Sequence, residues 1–347
     1  MPELPHQFQL KSVNGMAVKI CNLGGIIMSI TVPDRDGLCE DVVLGFDDVG
    51  SYRQNQPYFG AIIGRYGNRI ANARFSLEGV DYQLEANSGH HHLHGGRVGF
   101  DKVLWKPEFS PKAAERGTDI LKLQYLSQCG EEGYPGRLTV TVTYTLASDN
   151  SLRIDYEANT DHATVVNLTS HSYFNLSSKF QSSNILSHYL RIHADKFTVV
   201  DSTMIPTGEM RLVEGTPLDF RQMQLIGSRI DQDFDQLKFA SGYDHNYIIN
   251  GYDKSLRLAA DIYEPVSGRT LEVWTTEPGV QFYSGNFLGN QLIGKQGRKY
   301  SRHAGFCIEA QHFPDSPNRP EFPTTRLDVG ETYTQSTIYK FGTAQNK

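Results

Sequence analysis

The chain has 347 residues, 33 of them basic and 39 acidic, for a net charge of −6, with 39% hydrophobic and 21% charged residues. That usage excludes wholesale disorder, and no apolar run approaches the roughly 18 residues a membrane-spanning helix requires. No basic block marks a nucleic-acid surface, while 32 glycines, 15 prolines and 11% aromatics lean toward β structure and a small-molecule ligand such as a sugar.

From the N-terminus, Met1–Lys11 carries Glu3 and two prolines but no basic leader, so it does not read as a secretory signal. Ile20–Pro33 reads as a buried strand interrupted at Gly24-Gly25. Gly64–Asn72 has glycines but no Lys-Ser/Thr terminus, which rules out a phosphate loop and leaves a tight turn presenting Asn68 and Arg69. Asn and Arg supply the hydrogen bonds that a polyhydroxylated ligand needs.

Histidines cluster at His90-His91-His92-Leu93-His94. In an extended segment residues two apart share a face, so His92 and His94 would point to one side. A metal pair of this form needs a nearby carboxylate, but Gly95-Gly96-Arg97-Val98 follows. A solvated loop and a single functional histidine are the other readings.

From Leu138 to Leu146 apolar residues alternate strictly with threonines, and Leu152, Ile154 and Tyr156 alternate with Arg153, Asp155 and Glu157 after a Ser148-Asp149-Asn150 turn. This period of two predicts an antiparallel hairpin. Leu256–Ile262 and Thr270–Val273 repeat the pattern around Pro265-Val266-Ser267-Gly268, and Tyr333–Tyr339 repeats it near the end. Helical periodicity is weak, and Met223–Phe234 is its best candidate. Close-spaced strands without a linker predict one all-β unit over residues 1–347, a large antiparallel β-sandwich.

Three segments hold polar groups that could carry chemistry. Val166–Leu176 sets His171 in an apolar frame, where it is either a satisfied core histidine or a proton-transfer group. Glu309, in Phe306–Pro314, is costly to bury without a partner or a purpose. Asp244 lies in Gly242–Asn246 at a loop-to-strand junction, where Asp alone carries little information. Tyr173, Phe282 and Tyr283 could wall a sugar's C–H face or simply pack the core.

No GxSxG supports a serine nucleophile. The four cysteines, Cys21, Cys39, Cys129 and Cys307, show no CxxC pair and read as free buried thiols, with Cys307 inert in an apolar strand. Cysteine usage and the absence of a leader favour the cytoplasm.

In chain order, GRYGNRIAN (from Gly64), HLHGG (His92), GFDKVLW (Gly99), NLTSHSYFNL (Asn167), IPTGE (Ile205), GYDHNYII (Gly242), PGVQFYSGNFL (Pro278), EAQHFPDSPN (Glu309) and the terminal GETYTQSTIYKF resemble the aldose 1-epimerase (galactose mutarotase) family. The resemblance covers most of the chain and implies a β-supersandwich that interconverts α and β anomers of an aldohexose such as galactose or glucose. It implies His171 as general acid and Glu309 as general base, with Asn68, Arg69, His94, Asp244 and Gln281 holding the sugar and Tyr173 beside the acid. No cofactor or metal is implied. The expected partner is a small-molecule aldose, with no nucleic acid or membrane, on a monomer or homodimer. Gly67 stands where Ala is usual and Ser170 where Asn usually precedes the histidine, which touches substrate preference. Ordinary values of roughly 4.3 for Glu and 6.5 for His make Glu309 an anion at neutral pH, and His171 can deliver a proton if a nearby carboxylate such as Asp244 favours its charged form. A non-catalytic sugar sensor and a glycoside hydrolase are the alternatives.

Overall fold

The structure, a computed structural model, describes residues 4–53, 57–110, 118–177, 184–289 and 291–344. The Leu138–Leu146 and Ser151–Thr160 strands pair as the alternation predicts, with Leu146 opposite Leu152 and Val142 opposite Tyr156. Their apolar positions are fully buried because alternate side chains point to one face of a pleated strand. Among the described residues they belong to a nine-stranded sheet, in which the C-terminal strand Tyr333–Thr343 is inserted between Ser151–Thr160 and Arg269–Thr275. Arg257–Tyr263 follows Arg269–Thr275, which completes the second hairpin foreseen from sequence.

A five-stranded sheet runs Pro206–Leu212, Lys196–Val200, Asp244–Ile248, Gly279–Tyr283, Cys307–Gln311, all antiparallel. One face of its last three strands, with Tyr247, Val280, Phe282, Ile308 and Ala310, joins Leu138, Val140, Val142 and Tyr144 in one apolar core. The result is a sandwich of antiparallel sheets. Each aliphatic side chain so buried contributes roughly 1.5–3 kcal/mol relative to exposure. The opposite face of these three strands carries polar residues beside a second apolar cluster that includes Tyr173, Tyr283 and Cys307, and the site forms there.

A four-stranded sheet, Gln7–Lys11, Ala17–Cys21, Ile26–Pro33 and Cys39–Asp41, flanks the sandwich. Arg269, fully buried, ties it to the nine-stranded sheet by donating to the main-chain oxygens of Val32 and Leu38. Ile20–Pro33 is thus parts of two strands rather than one. Gly24 and Gly25 turn the chain with φ of 63° and 58°, and a Cβ on Gly24 would lie 2.3 Å from the Asp101 oxygen.

The weak helical candidate over Met223–Phe234 does not form a helix across that span. Gln224–Leu225 pairs as a strand with Tyr189–Leu190, and the Ile226 N–H donates to the His188 oxygen, so the backbone groups a helix would use are engaged elsewhere. The α-helix comes just afterwards, at Asp235–Ala240. Among the described residues no helix is long and apolar enough to cross a membrane. All four cysteines are free, but only Cys21 and Cys307 are buried, because Cys39 and Cys129 fall on exposed edges and turns.

Candidate active site

The five-stranded sheet presents its outward residues by register. Gln281 sits opposite Glu309 on one side and Asn246 on the other, while Tyr283 sits opposite Cys307 and Asp244. Period-two alternation therefore gathers Asp244, Gln281, Glu309 and Gln311 on one face. Gln281 Nε2 donates to Asp244 Oδ1 at 2.7 Å, and Gln281 Oε1 accepts from Gln311 Nε2 at 3.3 Å. Gln311 also donates to Asn246 Oδ1 at 3.3 Å, which fixes the orientation of the Gln281 amide and through it Asp244.

The Gly64–Asn72 turn reaches this face from the side. Arg69–Ile70 pairs with His92–Leu93, placing Asn68, in a left-handed conformation (φ 63°), beside His94. The Asn68 N–H donates to His94 Nδ1 at 3.1 Å, and the His94 N–H donates back to the Asn68 oxygen at 3.0 Å. Gly95 is required there because a Cβ would stand 1.7 Å from the Gly64 oxygen. The Arg69 guanidinium lies 4.0 Å from Asp244 Oδ2 and 3.5 Å from Asn68 Oδ1.

His92 and His94 do not share a face. The left-handed turn at His94 (φ 52°) breaks the extended geometry. His92 is a fully buried core histidine, donating from Nδ1 to the Glu85 oxygen and accepting the Tyr134 hydroxyl at Nε2, each at 2.7 Å. Only His94 joins the site.

His171 follows the short Thr169–Ser170 strand, which pairs with Ile62–Ile63, and its N–H donates to the Ala61 oxygen at 2.9 Å. Its Nε2 lies 3.7 Å from Glu309 Oε2, with His171 4% and Glu309 2% exposed. The His171 ring stacks with Tyr173 (centroids 5.0 Å apart) and with Tyr58 (5.7 Å), and meets His94 edge-on at 5.1 Å. Tyr173 is thus packed against the imidazole. Phe282 points into the core beside Tyr243 and Phe220 and walls no ligand, since it alternates with the outward-facing Gln281 and Tyr283.

Burial sets the electrostatics. It pushes His171 down to about 4, and it holds Glu309 well above the usual carboxylate range, with the Asp244 charge acting the same way and Arg69 opposing. Burial also raises Asp244, against Arg69 and the Gln281 hydrogen bond. These directions overturn the expectation of a plain Glu309 anion and of an Asp244 that charges His171. Asp244 acts on Glu309, and in the unliganded pocket the proton of the pair favours the carboxyl.

His94, His171 and Glu309 each offer a ligand atom within 4.8 Å of the others. The donor set does not fit a cation. The Nδ1 lone pair of His94 is occupied by the Asn68 N–H, so the neutral ring, held neutral by burial, keeps its proton on Nε2. That atom is a hydrogen-bond donor suited to a ligand oxygen.

The arrangement brings together the eight residues that the family resemblance implied, leaves out His92 and Phe282, and adds Tyr58 and Gln311. Tyr58 adopts φ 60° and no local pattern announces it. Gln311 stands two residues after Glu309, so strand alternation places it on the same face.

A face that sets a buried, unpartnered carboxyl against an imidazole, Glu309 against His171, within a rim of fixed polar groups that includes Asp244 and His94 is that of an acid–base enzyme, built to move protons on a bound ligand. Comparison with known proteins specifies which. The aldose 1-epimerase family model matches residues 6–340. Galactose mutarotases of Bos taurus and Homo sapiens are each 46% identical over 97% of this chain and 94% of theirs, and the aldose 1-epimerase of Escherichia coli is 36% identical over 96% and 94%. Among solved structures, an aldose epimerase homologue from C. elegans superposes with TM-score 0.89 at 28% identity, covering 99% of this chain and all of the other. A galactose 1-epimerase from Lactobacillus acidophilus gives TM-score 0.86 at 27% identity over 98% and 95%. The chain belongs to the aldose 1-epimerase family and is an isomerase, a mutarotase.

Proposed function

We propose that this site interconverts the α and β anomers of an aldohexose such as galactose or glucose, with Glu309 as general base and His171 as general acid. The observation that carries the reading is the His171–Glu309 pair: Nε2 and Oε2 are 3.7 Å apart and buried, and Oε2 has no hydrogen-bond partner. An unpartnered buried carboxylate oxygen is costly, and a sugar hydroxyl satisfies it.

With the sugar bound, the proton that the pair holds passes from Glu309 to His171; Glu309 then takes the proton of the C1 hydroxyl while His171 delivers its own to the ring oxygen, so the C1–O5 bond breaks to an open aldehyde. Rotation about C1–C2 presents the other carbonyl face, and the reverse transfers close the ring. The sequence needs one proton shared between the two residues and returns it at the end. Arg69, His94 and Gln281, with Asn68 and Asp244 behind them, orient the sugar hydroxyls, and Tyr173 backs the acid.

Glycoside hydrolysis is a poorer fit, since it pairs two carboxylates across the bond. Here Glu309 faces an imidazole, while Asp244 is engaged by Arg69 and Gln281. We further read the 347 residues as one domain, working in the cytoplasm as a monomer or homodimer. The test is a polarimetric time course with freshly dissolved α-D-galactose and α-D-glucose. Acceleration over buffer supports the reading and ranks the sugars, and no acceleration with either leaves a non-catalytic sugar binder.

A further inference from the structure

The strand that carries Glu309 faces His171 at both of its ring nitrogens. Residues two apart on one strand share a face, and on Cys307–Gln311 these are Cys307 and Glu309. Glu309 Oε2 faces Nε2 at 3.7 Å, and Cys307 Sγ meets Nδ1 at 3.5 Å, within reach of a sulfur hydrogen bond. Cys307 is fully buried. Its surroundings are therefore not merely apolar, although its thiol is held in the protonated form by burial and by the nearby charges of Glu309 and Asp244.

A neutral imidazole has one donor and one acceptor nitrogen, and the partner of one nitrogen decides the state of the other. The S–H can donate to Nδ1, which sends the ring proton to Nε2, the nitrogen that faces Glu309 and the ligand. When His171 takes a second proton, Nδ1–H must donate to sulfur, a weak acceptor. Beside sulfur the imidazolium has a hydrogen bond to its own main chain, whose effect is smaller than that of burial; a carboxylate at the place of the sulfur would stabilise the imidazolium more strongly and make it a poorer acid.

We propose that Cys307 is a positioning residue, which fixes His171 as the Nε2–H tautomer and leaves its imidazolium free to give up its proton. The same device operates next door, where the Asn68 N–H at Nδ1 of His94 leaves the proton on Nε2. The two histidines, edge-on at 5.1 Å, thus both present Nε2–H donors. The proposal rests on the reading of His171 as the general acid.

Its test is 15N NMR of histidine-labelled full-length protein, with kinetics on α-D-galactose, for wild type, Cys307→Ala and Cys307→Ser. In the wild type the His171 nitrogens should show the Nε2–H pattern. Cys307→Ala should mix the tautomers and lower kcat by roughly tenfold, a fraction of the 10²–10⁴ a whole acid contributes, with KM unchanged. Cys307→Ser keeps an O–H donor and should restore both the pattern and the rate to within a few-fold. In a His171→Asn background Cys307→Ala should cost nothing more. An unchanged His171 pattern in Cys307→Ala, or an equal kcat loss in the His171→Asn background, overturns the proposal. If the alanine variant does not fold, a His171 tautomer other than Nε2–H in wild type or Cys307→Ser overturns it. A His171→Asn enzyme with full activity removes the general-acid reading instead, while the tautomer assignment is still read directly from the spectra.

Discussion

Asp244 and Glu309 lie on strands separated by Gly279–Tyr283, and the charge of Asp244 raises the Glu309 carboxyl further above the usual range than burial alone. Asp244 thus acts electrostatically on the proposed base, besides pairing with Arg69 and Gln281. Replacing it by Asn removes that charge while keeping an oxygen for the Gln281 donor. Asp244→Asn should lower the Glu309 pKa and shift the alkaline limb of kcat/KM to lower pH. KM should rise because Arg69 loses its ion-pair partner. A pH series by polarimetry on both proteins checks the shift, and an unmoved or upward-moved limb contradicts it.

The wild-type profile follows from the same two directions. The productive pair holds one proton, so activity falls when a second is added and when the first is lost. The second goes to His171, depressed to about 4, and the first leaves Glu309, which is raised. The expected profile is a plateau through neutral pH, with an acid limb near 4 and an alkaline limb well above the ordinary Glu value. A maximum confined between roughly 4.3 and 6.5, the ordinary values of the two groups, would contradict the burial argument.

Glu309→Gln should lose about 10²–10⁴ in kcat while still binding galactose. It should also be more stable at neutral pH. A carboxyl whose folded-state pKa is raised destabilises the fold increasingly as pH rises through and above its unfolded value, and has no such effect when protonated in both states. The Tm of the variant should therefore exceed wild type at pH 7, and the difference should vanish toward pH 4. Thermal scans at the two pH values, beside the kinetic assay, read both effects.

The strand grammar of this chain is local and legible. Leu138–Tyr156 could be read as a hairpin because every buried residue is two from the next. The seat of Tyr333–Thr343 between two hairpins could not, since nothing in its own alternation names its neighbours. At the site, Glu309, Asp244 and Gln281 come from three strands whose register brings them to one face, and their association was visible only through resemblance to a known family. Met223–Phe234, the best of the weak helical candidates, is not a helix because pairing with Tyr189–Leu190 outweighs weak helical periodicity. Tyr58 was invisible because its place beside His171 depends on a left-handed turn, whereas Gln311 lay within reach of simple alternation from Glu309.

His171→Asn should retain the fold, since the His171 main chain keeps its bonds to Ala61 and Gly60. Its kcat on galactose should fall by about 10²–10⁴. The ring also stacks with Tyr58 and Tyr173, so a modest fall in Tm is expected alongside. An anomerisation rate near wild type, measured by polarimetry, would remove His171 from proton transfer.

Two arginines four residues apart should fail in different ways. Arg69 faces Asp244 in the candidate site, where we propose it meets the sugar, whereas Arg65 is buried and bonds main-chain oxygens elsewhere. Arg65 donates to the main-chain oxygens of Pro135 (2.7 Å), Gly136 (2.9 Å), Gln128 (3.1 Å) and Ser127 (3.3 Å), fastening the segment that precedes Leu138–Leu146. Each buried acceptor left without a donor costs roughly 1–3 kcal/mol, so Arg65→Met should destabilise the protein by about 3 kcal/mol or more, with near-normal KM in whatever remains folded. Arg69→Met should leave Tm within a few degrees and raise KM about tenfold or more, as loss of a charged hydrogen bond worth roughly 1.5–3 kcal/mol requires. Denaturant titration and galactose kinetics on the two variants separate these outcomes. A stability loss in Arg69→Met matching that of Arg65→Met would return both arginines to a structural role.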